Sequence, residues 1–187
     1  MTTSTSVPDV IDIPARDVLT VDGAGAPESP EFGTAIQALY AVRAALGDLT
    51  DVPLEGTYTQ GGDPAAFDLD APQGWQWRLA VPAPAGATED AVAAAAAPFG
   101  VAVRLRHVPA QRVARLLHHG PYSAERPALE ALRRFVAAQG RTPAEGHTEV
   151  YLTDPSTVPP EELRTWLQLS LGDDRGSAAD APARRRA

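Results

Sequence analysis

The stretch HTEVYLTDP at residues 147–155 reads as a β-strand running into an Asp-Pro turn. By the two-residue period of a strand, Val150 and Leu152 share one face, and His147, Glu149 and Tyr151 share the other. Packing Val150 and Leu152 into a core is expected to set Glu149 beside Tyr151 on the opposite side of the sheet. A carboxylate next to a phenol on a sheet face is either a solvated surface or the polar floor of a pocket. The strand alone leaves both readings open.

Upstream, Ser123 after the turn His119-Gly120-Pro121-Tyr122 is expected to cap a long helix. That helix buries Leu129, Leu132, Phe135 and Val136 and stops at Gly140. Before it, residues 101–108 and 111–118 read as strands around Pro109. Downstream, residues 158–163 suit one helical turn, and residues 165–171 a last strand with Leu167, Leu169 and Leu171 inward.

The first half repeats this pattern. Residues 16–21 read as a strand closed by Gly23-Ala24-Gly25. Ser29 before Pro30 is an N-cap with proline at the first helical position. Phe32, Ile36, Leu39, Tyr40 and Leu46 form one helical face that ends at Gly47. Strands follow at residues 54–60 and 75–81, the latter with Trp75, Trp77, Leu79 and Val81 on one face. Both halves carry a Gly turn, a Ser cap, a glutamate two residues on (Glu31 and Glu125), a Tyr-bearing strand leading to Asp-Pro, and a Trp-bearing closing strand. This is an internal duplication. The expected fold is α+β: two βαββ modules, about residues 15–82 and 101–171, related by a pseudo-twofold axis. A short alanine-rich helix at residues 88–97, capped by Thr88, is inserted between them. Each helix is expected to cover one sheet face, with the exposed faces meeting across a ligand groove. Residues 10–171 then form one domain, flanked by a flexible segment at residues 1–9 and a disordered, Asp-, Ala- and Arg-rich tail at residues 172–187.

The chain has 187 residues and a formal net charge of −8, which argues against a nucleic-acid surface. Its basic residues are all arginine, a composition that suits a GC-rich genome. Without cysteine there is no disulfide, thiolate nucleophile or thiolate metal site. The four histidines show no zinc-motif spacing, so neither metal nor cofactor is expected. No apolar run approaches the roughly 20 residues of a membrane span, and MTTSTSVPDV, without a basic start or an apolar core, is not expected to be a signal peptide. The expected location is the cytoplasm. The pair His118-His119 has no acid partner or serine motif and reads as a strand end.

The pieces LTVDGAGAP at residues 19–27, FGTAIQALYAVRAAL at 32–46, PLEG at 53–56, WQWRLAVP at 75–82, HHGPY at 118–122 and HTEVYLTDP at 147–155 occur in an order and spacing that resemble the GyrI-like small-molecule-binding family. This effector-binding type of domain occurs alone or fused to transcription regulators, and the resemblance runs over residues 18–171. It implies a duplicated βαββ fold with a ligand groove between the halves. It further implies a groove glutamate at Glu149, followed by Tyr151, and aromatic walls drawn from Tyr40, Tyr58, Trp75, Trp77, Tyr122 and Trp166. Relatives continue PLEG into a Trp-Trp pair. Here Thr57-Tyr58-Thr59 follows, so part of that wall is changed.

Glu149 in such a groove would be partly desolvated, which raises a carboxyl pKa. Charged, it would pair with a cation, helped by cation–π attraction of roughly 0.5–2 kcal/mol. It would otherwise act as a general base on water. The plain alternatives are a surface glutamate and ordinary core aromatics. Trp166, opposite the leucines of its strand, is the better groove candidate among the tryptophans. The leading expectation is a stand-alone binder of small hydrophobic, aromatic or cationic molecules. The first alternative, implied by stand-alone relatives, is a drug-resistance hydrolase of electrophilic cyclopropane-containing natural products, with Glu149 and Tyr151 catalytic. The second is a protein-interaction module of the gyrase-inhibitor kind.

Overall fold

The computed structural model describes residues 6–61, 67–142 and 146–171. The expected tail lies outside them. Eight strands form one antiparallel sheet: β1 (Asp9–Ile13), β2 (Arg16–Ala24), β3 (Leu54–Thr59), β4 (Gln76–Pro82), β5 (Arg104–Val108), β6 (Gln111–His119), β7 (His147–Tyr151) and β8 (Arg164–Leu171). Their order in the sheet is β1-β6-β8-β7-β3-β4-β2-β5. Three helices complete the α+β fold: α1 (Pro30–Ala45), α2 (Glu89–Ala96) and α3 (Arg126–Ala138).

The halves join edge to edge through β3 and β7, not face to face. Directly opposed residues of an antiparallel sheet share a face. One row therefore runs Leu116, Leu167, Glu149, Gly56, Leu79, Val21 across the sheet. Both long helices pack on that face. α1 buries Phe32, Ala35, Leu39 and Val42 against Val21, Leu79 and Val81. α3 buries Leu129, Leu132 and Val136 against Leu116, Leu167 and Leu169. The central β3–β7 pair lies between these two wings, and Glu149 is on it. This corrects the expected facing of β7. Glu149, not Val150, shares the helix-bearing face, while Leu152 follows the strand's end and is 44% exposed. Alternation misleads here because β7 is buried on both sides, with Val150 buried on the other face.

Local signals set the helix starts. Ser29 Oγ accepts from Phe32 N at 3.3 Å, and Thr88 Oγ1 from Ala91 N at 3.3 Å. Ser123 does not cap α3. It lies in a 3-10 turn, Tyr122–Ala124, and Glu125 takes the cap position without a side-chain capping bond.

The links Pro14-Ala15 and Pro109-Ala110 explain the outer strands. Tight two-residue hairpins need positive φ. Proline fixes φ near −65°, and no described non-glycine residue has positive φ. Neither link folds back: β1 pairs with β6 and β5 with β2, so each half lends its first strand to the other. Strand β1 extends the fold beyond the first strand expected from the sequence.

Gly146 leads into β7 with φ +80°, and a Cβ there would stand 2.1 Å from the Tyr58 carbonyl oxygen. Gly146→Ala is expected to lose about 1–3 kcal/mol from backbone strain alone, with the clash adding to it. Urea denaturation midpoints would measure the loss.

Candidate functional site

Three consecutive same-face residues of β7 build the site. His147 Nε2 lies 2.8 Å from Glu149 Oε1, and the Tyr151 hydroxyl donates to Glu149 Oε2 at 2.7 Å. The Tyr58 and Tyr151 hydroxyls are 2.5 Å apart. Tyr58 reaches across because Gly56 beside it has no side chain: a Cβ there would meet the Tyr58 hydroxyl at 2.7 Å. The residue pair after PLEG is split by the pleat. Thr57 turns to the other face, where its hydroxyl meets that of Thr148 at 2.9 Å. Tyr58 keeps an aromatic ring on the face of Glu149.

A second carboxyl completes the centre. Glu125, at the start of α3, is 5% exposed and Glu149 is 6% exposed. Burial, then the charge of Glu149 and a hydrogen bond with it, push the Glu125 carboxyl up to about 10. At neutral pH Glu125 therefore holds a proton beside Glu149. Burial likewise raises both Tyr58 and Tyr151 well above the usual phenol range, with Glu149's charge next in effect, so both hydroxyls stay protonated.

Several buried polar atoms around this centre have no partner: Glu125 Oε1, His147 Nδ1 and Thr165 Oγ1. Thr165 sits directly opposite Tyr151 in the sheet. Unpaired buried polar atoms cost about 1–3 kcal/mol each, so their gathering at one place suits a polar guest or water. Phe67, Trp75 and Tyr58 surround the His147 ring at centroid distances of 4.8, 6.5 and 5.5 Å. Tyr122 is 38% exposed and stands edge-on to Tyr151 at 5.5 Å, which marks the solvent end of the cluster. Burial holds its hydroxyl up to about 12. Two surface cavities, of about 370 and 510 Å³, lie away from this cluster.

The structure thus brings Glu149, Tyr151, Tyr58, Tyr122 and Trp75 together. Trp75 is fixed by its Nε1, which donates to the Asp68 carbonyl at 2.9 Å. Trp77 lies under α1, edge-on to Phe32 at 5.1 Å. The Tyr40 hydroxyl donates to the Val52 carbonyl at 2.9 Å. Trp166 is on the other face of the sheet, with the Arg115 guanidinium 4.2 Å from its ring centre. Sequence reasoning passed over His147 and Glu125 as site residues. His147 shares the face of Glu149, and Glu125 was visible only as the repeat partner of Glu31. Tyr58→Phe, which keeps the ring and removes one hydroxyl, is expected to cost about 1 kcal/mol, measurable as a lower melting temperature.

A buried polar centre thus lies between the two helix-covered wings of an α+β domain. A family model for a GyrI-like small-molecule-binding domain matches residues 7–171, and the chain belongs to this family. Among solved structures it is similar to an uncharacterized conserved protein from Listeria innocua, with 28% identity and a TM-score of 0.75 over 88% of this chain and 92% of that one. It is similar also to a hydrolase from Listeria innocua, with 26% identity and a TM-score of 0.73 over 88% and 91%. The C-terminal domain of EcmrR, at 15% identity and a TM-score of 0.68 over 89% and 98%, shares the fold. A search of curated proteins finds no match. Among the described residues no helix is long and apolar enough to cross a membrane, and no cluster of three or more His, Asp or Glu could hold a metal ion.

Proposed function

We propose that this protein hydrolyses small electrophilic molecules at the Glu125–Glu149 pair, with a strained ring conjugated to a carbonyl as the substrate class. The carrying observation is the pairing of two buried carboxyls, one held protonated to about pH 10 and the other accepting from Tyr151. Environments that hold one group protonated beside a proton acceptor divide acid from base. The likeness to a Listeria innocua hydrolase across most of both chains supports the same reading.

In this reading Glu149 takes a proton from water as the water oxygen bonds to a ring carbon. The ring C–C bond breaks, and its electron pair passes through the conjugated system to the carbonyl oxygen. Glu125 protonates that oxygen, with Tyr122 nearby at the entrance to steady it. Glu149 then returns its proton to Glu125 across their hydrogen bond, and the pair is reset. The aromatic side chains Tyr58, Trp75 and Tyr122 would hold a flat ligand.

Binding without chemistry is the second reading, and one feature favours it. Glu149 among aromatic rings also suits a planar cation. Incubation with a carbonyl-conjugated cyclopropane and with planar cations separates the two, with tryptophan fluorescence and product mass followed together. A product gaining one water supports the hydrolase. Quenching without a mass change would leave a binder.

A further inference from the structure

We infer that the 510 Å³ cavity between the end of β2 and the first turns of α1 is a second small-molecule site, specific for neutral aromatic carbonyl compounds. Its wall includes Gly23, Thr34, Ala35, Trp77, Phe99 and Val101. The volume falls within the roughly 300–1,000 Å³ usual for ligand sites. Trp77 is 5% exposed, and its Nε1–H has no hydrogen-bond partner. The ring edge next to that nitrogen lies over Gly23: a Cβ there would meet Trp77 Cε2 at 2.7 Å and Cζ2 at 2.2 Å. The missing side chain of Gly23 thus makes room for the indole of Trp77, a lining residue whose N–H is a buried, unpaired donor. An indole N–H can only donate, so the matching group on a ligand is an acceptor. Of the lining carboxylates, Asp22 is held by Arg78 and Arg106, and Glu31 disfavours an anionic acceptor. A neutral carbonyl remains. Phe99, exposed at the cavity's edge, and the indole itself provide aromatic faces for a flat ring. Phe32 separates this cavity from the carboxyl pair, packing on Trp77 at 5.1 Å on one side and on Tyr58 at 6.4 Å on the other.

Acetophenone is a suitable probe, and ethylbenzene is the control that lacks only the acceptor. The three indole N–H resonances are followed by NMR, with Trp77→Phe identifying the one that matters. Acetophenone is expected to move the Trp77 resonance downfield and leave those of Trp75 and Trp166 in place. Ethylbenzene is expected to bind at least about tenfold more weakly, the order expected when a buried donor stays unpaired. Thr34→Trp, which fills the cavity and keeps the indole donor, should abolish the shift, and Glu149→Gln should leave it unchanged. An unmoved Trp77 resonance would show the donor to be satisfied by water and overturn the site. So would equal binding of ethylbenzene, or loss of the shift in Glu149→Gln.

Discussion

Glu149→Gln is expected to slow hydrolysis of a carbonyl-conjugated cyclopropane by about 10²–10⁴-fold, the usual contribution of a positioned general base. Glutamine has nearly the same shape and can still accept the Tyr151 hydroxyl, now 2.7 Å from Glu149 Oε2. It cannot take a proton from water. The loss should therefore fall on kcat, with KM for a neutral substrate little changed. The proton on Glu125 should also become less tightly held, because the charge of Glu149 is the second cause, after burial, of its high pKa. Product mass over time measures the rate, and a melting curve checks the fold. A rate within threefold of the parent would remove Glu149 as the base. Retained quenching by planar cations in the parent would then support the binder.

How far the sequence foretold this arrangement depends on the range of each signal. The caps at Ser29 and Thr88 act within one helical turn, and they were legible. So was the duplication, because its marks recur in the same order. Strand partners were not legible. Residues 104–108 and 111–119 are neighbours in the chain with a two-residue link, the usual sign of a hairpin, yet they pair with β2 and β8. The clue is the repeated Pro-Ala dipeptide at residues 14–15 and 109–110, which cannot make the tight turn. The facing of β7 was hidden for a different reason. When both faces are buried, alternation does not say which one carries helices. Trp166 does lie opposite Leu167 and Leu169, as its strand's alternation says, but the Glu149 cluster is on the leucine face, so it was the side of the site that stayed hidden. Glu125 was obscured by the repeat that revealed it. Glu31, its counterpart, is exposed on the first turn of α1, whereas the 3-10 turn before α3 leaves Glu125 buried beside Glu149.

Glu125→Gln is expected to stabilise the protein increasingly as pH rises. The Glu125 carboxyl titrates near 4.5 when unfolded and near 10 when folded. Between those values the folded chain holds a proton that the unfolded chain has lost. Stability from this group is thus fully present below about pH 4.5 and falls as pH climbs towards 10, by up to about 1.4 kcal/mol per pH unit. Glutamine does not titrate and keeps a hydrogen-bond donor beside Glu149. The variant should match or trail the parent at pH 5 and exceed it at pH 9, as read from urea denaturation at each pH. Hydrolysis should move the opposite way. An amide cannot protonate the carbonyl oxygen that receives the ring's electron pair, so activity falls in the variant at every pH, and in the parent it falls as pH approaches 10. These two effects share one proton and must appear together. Parallel stability curves for parent and variant would mean that Glu125 is ionised in the folded protein. Glu149 would then face a second negative charge instead of a donor, and the relay between the two carboxyls could not operate.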